Sequence, residues 1–198
     1  MRNTIFTAQK DSYSMTVFQL ISTDFKKYKK YGGHFFSIVF FTQGFWAIFQ
    51  YRISHFIHLN IQWQPFRFIF KMITFFWQKT IEVFTGISIP SSANIGPSFY
   101  IGHFGGIIIN SDTIIGKNCN VSQGVTIGVS GQGEKRGVPI IGNNVYIGAN
   151  AVVAGKISIG NNVLIGACSM VNTSLLDNSV AIGVPAIVIS QNGSKGYI

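Results

Sequence analysis

The chain has 198 residues, 15 Lys plus Arg against 6 Asp plus Glu, a formal net charge of +9, and 47% hydrophobic residues with only 11% charged. That balance excludes a disordered, charge-rich tail protein and fits one domain, with or without an extension. The halves differ: 16 of the 18 Phe precede Pro90, and residues 1 to 90 hold ten basic and three acidic residues, against five and three thereafter.

In chain order, Met1 to Ser14 carries Arg2, Lys10 and Asp11 without the apolar run and small-residue cleavage site of a secretory signal. Tyr31 to Tyr51 contains no Asp, Glu, Lys or Arg and follows Lys26, Lys27, Lys29 and Lys30, the length and flank of a membrane span. Its Gly, Ser, Thr, Gln and His residues argue instead for helices that bury Phe. From Phe66 to Lys79 aromatic residues interleave with Arg67, Lys71 and Lys79, the pattern of a helix that can lie in an anionic headgroup layer. Residues 1–90 therefore read as a helical, basic and aromatic N-terminal region. Cys119 and Cys168 are too few for a disulfide framework and read as reduced packing residues, which implies a cytoplasmic chain.

From Ile95 an aliphatic residue recurs every six positions, usually before Gly: Ile95, Ile101, Ile115, Val121, Ile127, Ile141, Ile147, Val153, Ile159 and Ile165. A period of six fits neither an amphipathic helix nor a simple strand, and marks a parallel β-helix in which stacked coils build an aliphatic column. The fold class expected is mainly β, a β-helix over 91–187 behind the α-helical region, with a tail at 188–198. Gly after each aliphatic residue suits a strained corner. Two offsets interrupt the period. A Gly-rich loop, 129–140, leaves the coil between Ile127 and Ile141, where the spacing of 14 is read against 12, and two residues are added between Ile107 and Ile115, near His103. Loops that leave a rigid scaffold are where function tends to sit.

The runs Tyr100-Ile-Gly-His-Phe-Gly-Gly-Ile-Ile-Ile-Asn110, Ile115-Gly-Lys-Asn-Cys-Asn-Val-Ser-Gln-Gly-Val-Thr-Ile-Gly128, Val145-Tyr-Ile-Gly-Ala-Asn-Ala151 and Ala181-Ile-Gly-Val-Pro-Ala186 resemble the serine acetyltransferase family of hexapeptide-repeat acyltransferases. They look closest to its capsule and exopolysaccharide O-acetyltransferase branch. The resemblance is strong over 80–190 and extends weakly to Gly44–His55. It implies a left-handed coil, acetyl transfer from acetyl-CoA to a hydroxyl, and a homotrimer, or a dimer of trimers, with sites between neighbouring β-helices. His103 falls at the family's catalytic histidine, a group able to take a hydroxyl proton near neutral pH. Glycine N–H groups at Gly105, Gly106 or Gly128 are candidates for the oxyanion. By position in the motif Gly128, Ala149 and Ala167 line the CoA groove, with Ser130, Gly131, Lys135 and Arg136 beside it, the last two suited to phosphate.

Departures from the family pattern carry weight in the same reading. Ser88 stands where the family has an Asp that assists the histidine, Gly102 replaces an acid before His103, and Gly137-Val138 replaces an Arg-His pair that holds the serine carboxylate. A desolvated carboxylate needs such partners. The expected acceptor is therefore a hydroxyl of a capsular, exopolysaccharide or lipid-linked glycan, with peripheral association at the inner membrane; serine acetylation for cysteine synthesis and a non-catalytic scaffold are the alternatives. Glu82 and Asp112 are the carboxylates nearest His103 in sequence. His34, His55 and His58 read as packing or interface residues, and neither a metal site nor nucleic-acid binding is expected.

Overall fold

The computed structural model describes residues 15–198; the segment with Arg2, Lys10 and Asp11 lies outside them. Helix α1 (Val17–Lys30) opens on a reciprocal cap, the Gln19 N–H donating to the Thr16 hydroxyl and the Thr16 N–H to the Gln19 side chain. Its last turn holds Lys27, Lys29 and Lys30, where cations complement the helix dipole. The uncharged run from Tyr31 to Tyr51 is not one helix. It forms α2 (Phe35–Phe41) and the first half of α3 (Gln43–Asn60), which part at Thr42, extended at φ −108° and ψ 97°. Among the described residues no helix is long and apolar enough to cross a membrane. Helix α4 (Phe66–Thr85) packs along α3 and stops at Gly86, whose φ of 65° lets the chain turn into the first strand.

The strands form three parallel faces of a coil. The first joins β1 (Ile87–Ser88), β4 (Ile107–Ile109), β7 (Thr126–Gly128), β10 (Val152–Ala154) and β13 (Met170–Val171). The second joins β2 (Asn94–Ile95), β5 (Ile114–Ile115), β8 (Ile140–Ile141) and β11 (Ser158–Ile159). The third joins β3 (Tyr100–Ile101), β6 (Asn120–Val121), β9 (Tyr146–Ile147), β12 (Leu164–Ile165) and β14 (Val180–Gly183), and ends with β15 (Ala186–Ser190), the one antiparallel strand. The coil thus begins at Ile87, and the chain past Ile187 closes the third face before Tyr197 packs on Tyr146. The period-six residues meet in register, as in Ile95, Ile115, Ile141 and Ile159, and each is buried. Equivalent positions repeat at about 4.8 Å along the axis.

The registers relocate both interruptions. Ile101 pairs with Val121 twenty residues on, whereas Ile109 pairs with Ile127 eighteen residues on, so the two extra residues lie between Ile101 and Ile109. Ile107 and Ile109 both face inward, Ile109 is the counterpart of Ile127, and the insertion is the turn around His103 itself. Ile115 pairs with Ile141 at 26 residues and Ile141 with Ile159 at 18, so the loop adds eight residues, not two. The glycines after the aliphatic residues have a reason other than corner strain. A Cβ on Gly116 would stand 2.5 Å from the Gly142 carbonyl oxygen, and one on Gly148 2.6 Å from the Ala167 nitrogen. Coils approach too closely there for any side chain. Left-handed φ falls instead on Asn118, Asn144, Asn162 and Asn178, stacked at one corner, and on Gly106, Gly124, Asn150 and Cys168 at another. The first group forms an amide ladder in which Asn118, Asn144 and Asn162 each donate to the next Asn, at 2.8, 2.9 and 3.1 Å.

The helical region covers the exposed edge of the first coil with side chains. The Tyr28 hydroxyl donates to the Ile101 carbonyl and accepts its N–H, and Tyr51 does the same between the Ala93 carbonyl and the Ile95 N–H. Arg52, 1% exposed, pairs with fully buried Asp24 and donates to the Ile95 and Gly96 carbonyls, while Asp24 accepts the Phe99 N–H. Every charge in this clamp has hydrogen bonds, the condition under which a buried ion pair is tolerated. A Cβ on Gly44 would strike the Ile101 carbonyl, so that glycine lets α3 reach the coil.

Candidate active site

His103 follows β3 by two residues, and Tyr28 holds both backbone groups of Ile101 immediately before it. Its turn is pinned on both sides: the Gly105 N–H donates to the Thr85 carbonyl at 2.9 Å, and the Gly105 carbonyl accepts from the Gly124 N–H at 2.9 Å. Gly105 (φ 100°) and Gly106 (φ 68°) allow this path, and a Cβ on Gly86 would stand 3.1 Å from Gly105 Cα. The end of α4 therefore sits against the histidine turn. His103 and Phe104 are exposed. Gly105 is not an oxyanion donor because its N–H is already bonded, and the Gly128 N–H is committed to the β7–β10 ladder, which leaves Gly106 of the three expected.

The other sequence-predicted residues divide between two corners. His103 lies in the turn from the third face to the first, and so, in later coils, do Ala149 and Ala167. Those alanines occupy equivalent positions, since Ile147 pairs with Ile165, and the Cys168 N–H donates to the Ala149 carbonyl. Gly128, the last residue of β7, and the loop residues Ser130, Gly131, Lys135 and Arg136 lie at the far end of the first face. A strand of three residues, about 10 Å, separates the two groups. One chain brings His103, Ala149 and Ala167 to one edge and holds the loop residues at another.

The loop is built rather than slack. Ser130 and Gly137 exchange N–H···O bonds of 3.1 Å, and a 3-10 turn at Gly133–Lys135 carries the tip. A Cβ on Gly131, at φ 92°, would stand 2.5 Å from the Lys135 carbonyl oxygen, so Gly131 is fixed by the turn it enables. Lys156, from the next coil, donates to the Glu134 carbonyl at 3.1 Å. Lys135, Arg136 and Lys156 thus gather at one exposed corner. That is a place for phosphate or carboxylate.

Sequence reasoning missed the surroundings of Ser88. Its hydroxyl donates to Glu82 at 2.7 Å, and the same carboxylate accepts from Gln78 and Lys79. Burial opposes the charge, yet the hydrogen bonds from Lys79, Ser88 and Gln78 hold the Glu82 carboxyl below its ordinary range. A carboxylate thus stands beside the position where the family pattern has one. The i, i+4 spacing of Gln78 and Glu82, just before the strand with Ser88, was the available signal. Asp112 is exposed and bonded locally to Ser111 and Asn110. Cys119 is buried as expected, but Cys168 is exposed at φ 56°, a corner residue and not a packing one. His55 lies against Tyr51 and contacts the Ser91 carbonyl through Nδ1 at 2.7 Å, a packing role.

Comparison with known proteins agrees with this architecture. Residues 139–173 match the family described as bacterial transferase hexapeptide (six repeats). The chain is 34% identical over 161 residues to the serine acetyltransferase of Bacillus subtilis (strain 168), covering 81% of this chain and 70% of that one. A solved serine acetyltransferase in complex with cysteine superposes with a TM-score of 0.76 at 28% identity, covering 96% of this chain and 76% of the other. Another, in complex with CoA, gives 0.74 at 27%, covering 95% and 75%. These findings correct the glycan acceptor and the capsule and exopolysaccharide branch expected from the sequence, because the similar proteins, aligned over most of the chain, are named for serine. Ser88 and Gly137-Val138 still depart from the family pattern, with Glu82 hydrogen-bonded to Ser88 and Arg136 next to Gly137 in sequence. With this identity over four-fifths of its length, the chain belongs to the serine acetyltransferase family of hexapeptide-repeat transferases.

Proposed function

We propose that the protein transfers the acetyl group of acetyl-CoA to the hydroxyl of free serine, with His103 as general base, in sites shared between copies of the chain. The observation that carries this reading is the division of the candidate residues between two corners of one coil, within a family whose members are named for the reaction. Completing the site takes the loop of a neighbouring copy set against His103. The outward column of the first face runs Ser88, Ile108, Thr126, Val152 and Met170, with Ile108 and Met170 at 53% and 39% exposure, and offers that neighbour a partly apolar seat. The assembly proposed is the homotrimer that the family resemblance implies, with its left-handed winding.

In this reading His103 takes the serine hydroxyl proton as the oxygen attacks the thioester carbonyl. The Gly106 N–H meets the oxyanion, and the proton passes from His103 to the departing thiolate. Gly128, Ala149 and Ala167 keep the groove for the pantetheine arm free of large side chains, with Ser130 and Gly131 at its mouth and Lys135 at the CoA phosphates. Arg136, next to Gly137, serves the serine carboxylate. Glu82, through Ser88, is a positioning residue for the histidine turn. The test is thiol release by purified protein with acetyl-CoA and serine. His103→Ala should cut kcat by a factor on the order of 10² to 10⁴. Glu82→Gln should lower kcat more than it raises KM and alter the pH profile. Turnover unchanged in His103→Ala, or none with serine in the parent, would overturn the reading.

A further inference from the structure

Helix α4 presents its apolar side outward. Ile69, Met72, Phe76 and Val83 recur at i, i+3, i+7 and i+14 on the side opposite buried Thr74 and Thr85, and Phe76 and Val83 are 62% and 83% exposed. A surface helix ordinarily keeps polar residues there. Helix α2 does the same with Phe36 and Phe41, 71% and 74% exposed. Between α1 and α4 opens an apolar groove of about 640 Å³, lined by Phe25, Phe49, Trp46 and Trp77 among others. Apolar surface on this scale marks an interaction site.

Charge selects the occupant. Over residues 15–85 the exposed ionic side chains are Lys26, Lys29, Lys30, Arg67, Lys71 and Lys79, all cationic. The two acids in that range face inward or are engaged, Asp24 buried on Arg52 and Glu82 held by Lys79, Gln78 and Ser88. Arg67 and Lys71 leave the first two turns of α4 on the side opposite Ile69 and Phe76, and Lys79 flanks that stripe, so the apolar face is bordered by cations and, among the described residues, by no free acid. An anionic headgroup layer matches both features, taking aromatic side chains at the acyl boundary and lysine and arginine among its phosphates. Since no described helix crosses a bilayer, the contact lies on the surface.

We propose that the outward faces of α2 and α4 seat the protein on anionic phospholipid bilayers. The contact stands apart from the acetyl transfer described above. The three tryptophans, Trp46, Trp63 and Trp77, all belong to this region and report on it without a label. The full-length protein is mixed with phosphatidylcholine vesicles, with and without phosphatidylglycerol, and followed by flotation and tryptophan emission. Flotation with a blue shift is expected only with phosphatidylglycerol at low salt. Phe41→Ser with Phe76→Ser should abolish it, and Arg67→Gln with Lys71→Gln should weaken it by about tenfold or more. Thiol release without vesicles should be unchanged in all of these, which separates a lost membrane contact from a failed fold or a wrong activity. Protein remaining at the bottom with both vesicle types overturns the proposal, as does salt-insensitive flotation with phosphatidylcholine alone. So does loss of a larger assembly in Phe76→Glu, seen by light scattering, since a second copy then covers the face.

Discussion

Lys27 is the residue whose environment departs furthest from its chemistry. Its ammonium is buried without a hydrogen-bond partner, and burial lowers its pKa from 10.5 to about 8. A lysine with a folded pKa below its unfolded one binds fewer protons in the native state between those values, so stability rises with pH from about 8 to about 10.5. Below pH 8 the full penalty stands. Lys27→Met should therefore stabilise the protein at pH 7 by an amount on the order of 2 kcal/mol and flatten the rise above pH 8, read from urea midpoints across pH. Destabilisation by Lys27→Met would show that the ammonium is satisfied in solution. The basic run from Lys26 to Lys30 gave no sign of this, because burial of one lysine among four depends on which helix face meets the coil.

At the scale of elements, the coil's corners and not its strands carry the specific chemistry. Asn144 sits at φ 55°, donates to Asn162 and accepts from Asn118. Asn144→Gly keeps the backbone path and loses only the ladder, about 1 to 2 kcal/mol for two exchanged hydrogen bonds. Asn144→Ala adds the cost of a left-handed conformation, about 1 kcal/mol more. Denaturation of both variants should rank Ala below Gly, and equal losses would mean that the ladder alone matters. The period-six aliphatic residues made the coil legible, since a spacing of six has few other solutions. Which of two inward residues continues the repeat was harder, as Ile107 and Ile109, both buried, show. Only pairing with Ile127 identifies Ile109 as the counterpart and moves the insertion onto His103. The asparagines three residues after Ile115, Ile141 and Ile159 were visible as a pattern, but not their positive φ.

For the molecule as a whole, the division of the site predicts complementation. His103→Ala, and Lys135→Ala with Arg136→Ala, should each lower turnover when assembled alone. Mixed by denaturation and refolding, the two should recover activity, because some interfaces then join an intact histidine to an intact loop. No recovery would place the whole site within one chain. Most of the candidate residues were legible from the motif, but their separation between two corners was not, since it depends on which face each coil segment joins. The antiparallel final strand bears on another property. A stack of parallel coils has no inherent length, and its last rung offers the same unpaired edge as its first, an invitation to endless head-to-tail growth. Here β15 doubles back on β14, while Tyr51, Arg52 and Asp24 occupy the first edge with side chains. The first edge is thereby occupied, and on the third face an antiparallel strand replaces the parallel rung that a further coil would need, so head-to-tail stacking in register is opposed at both ends.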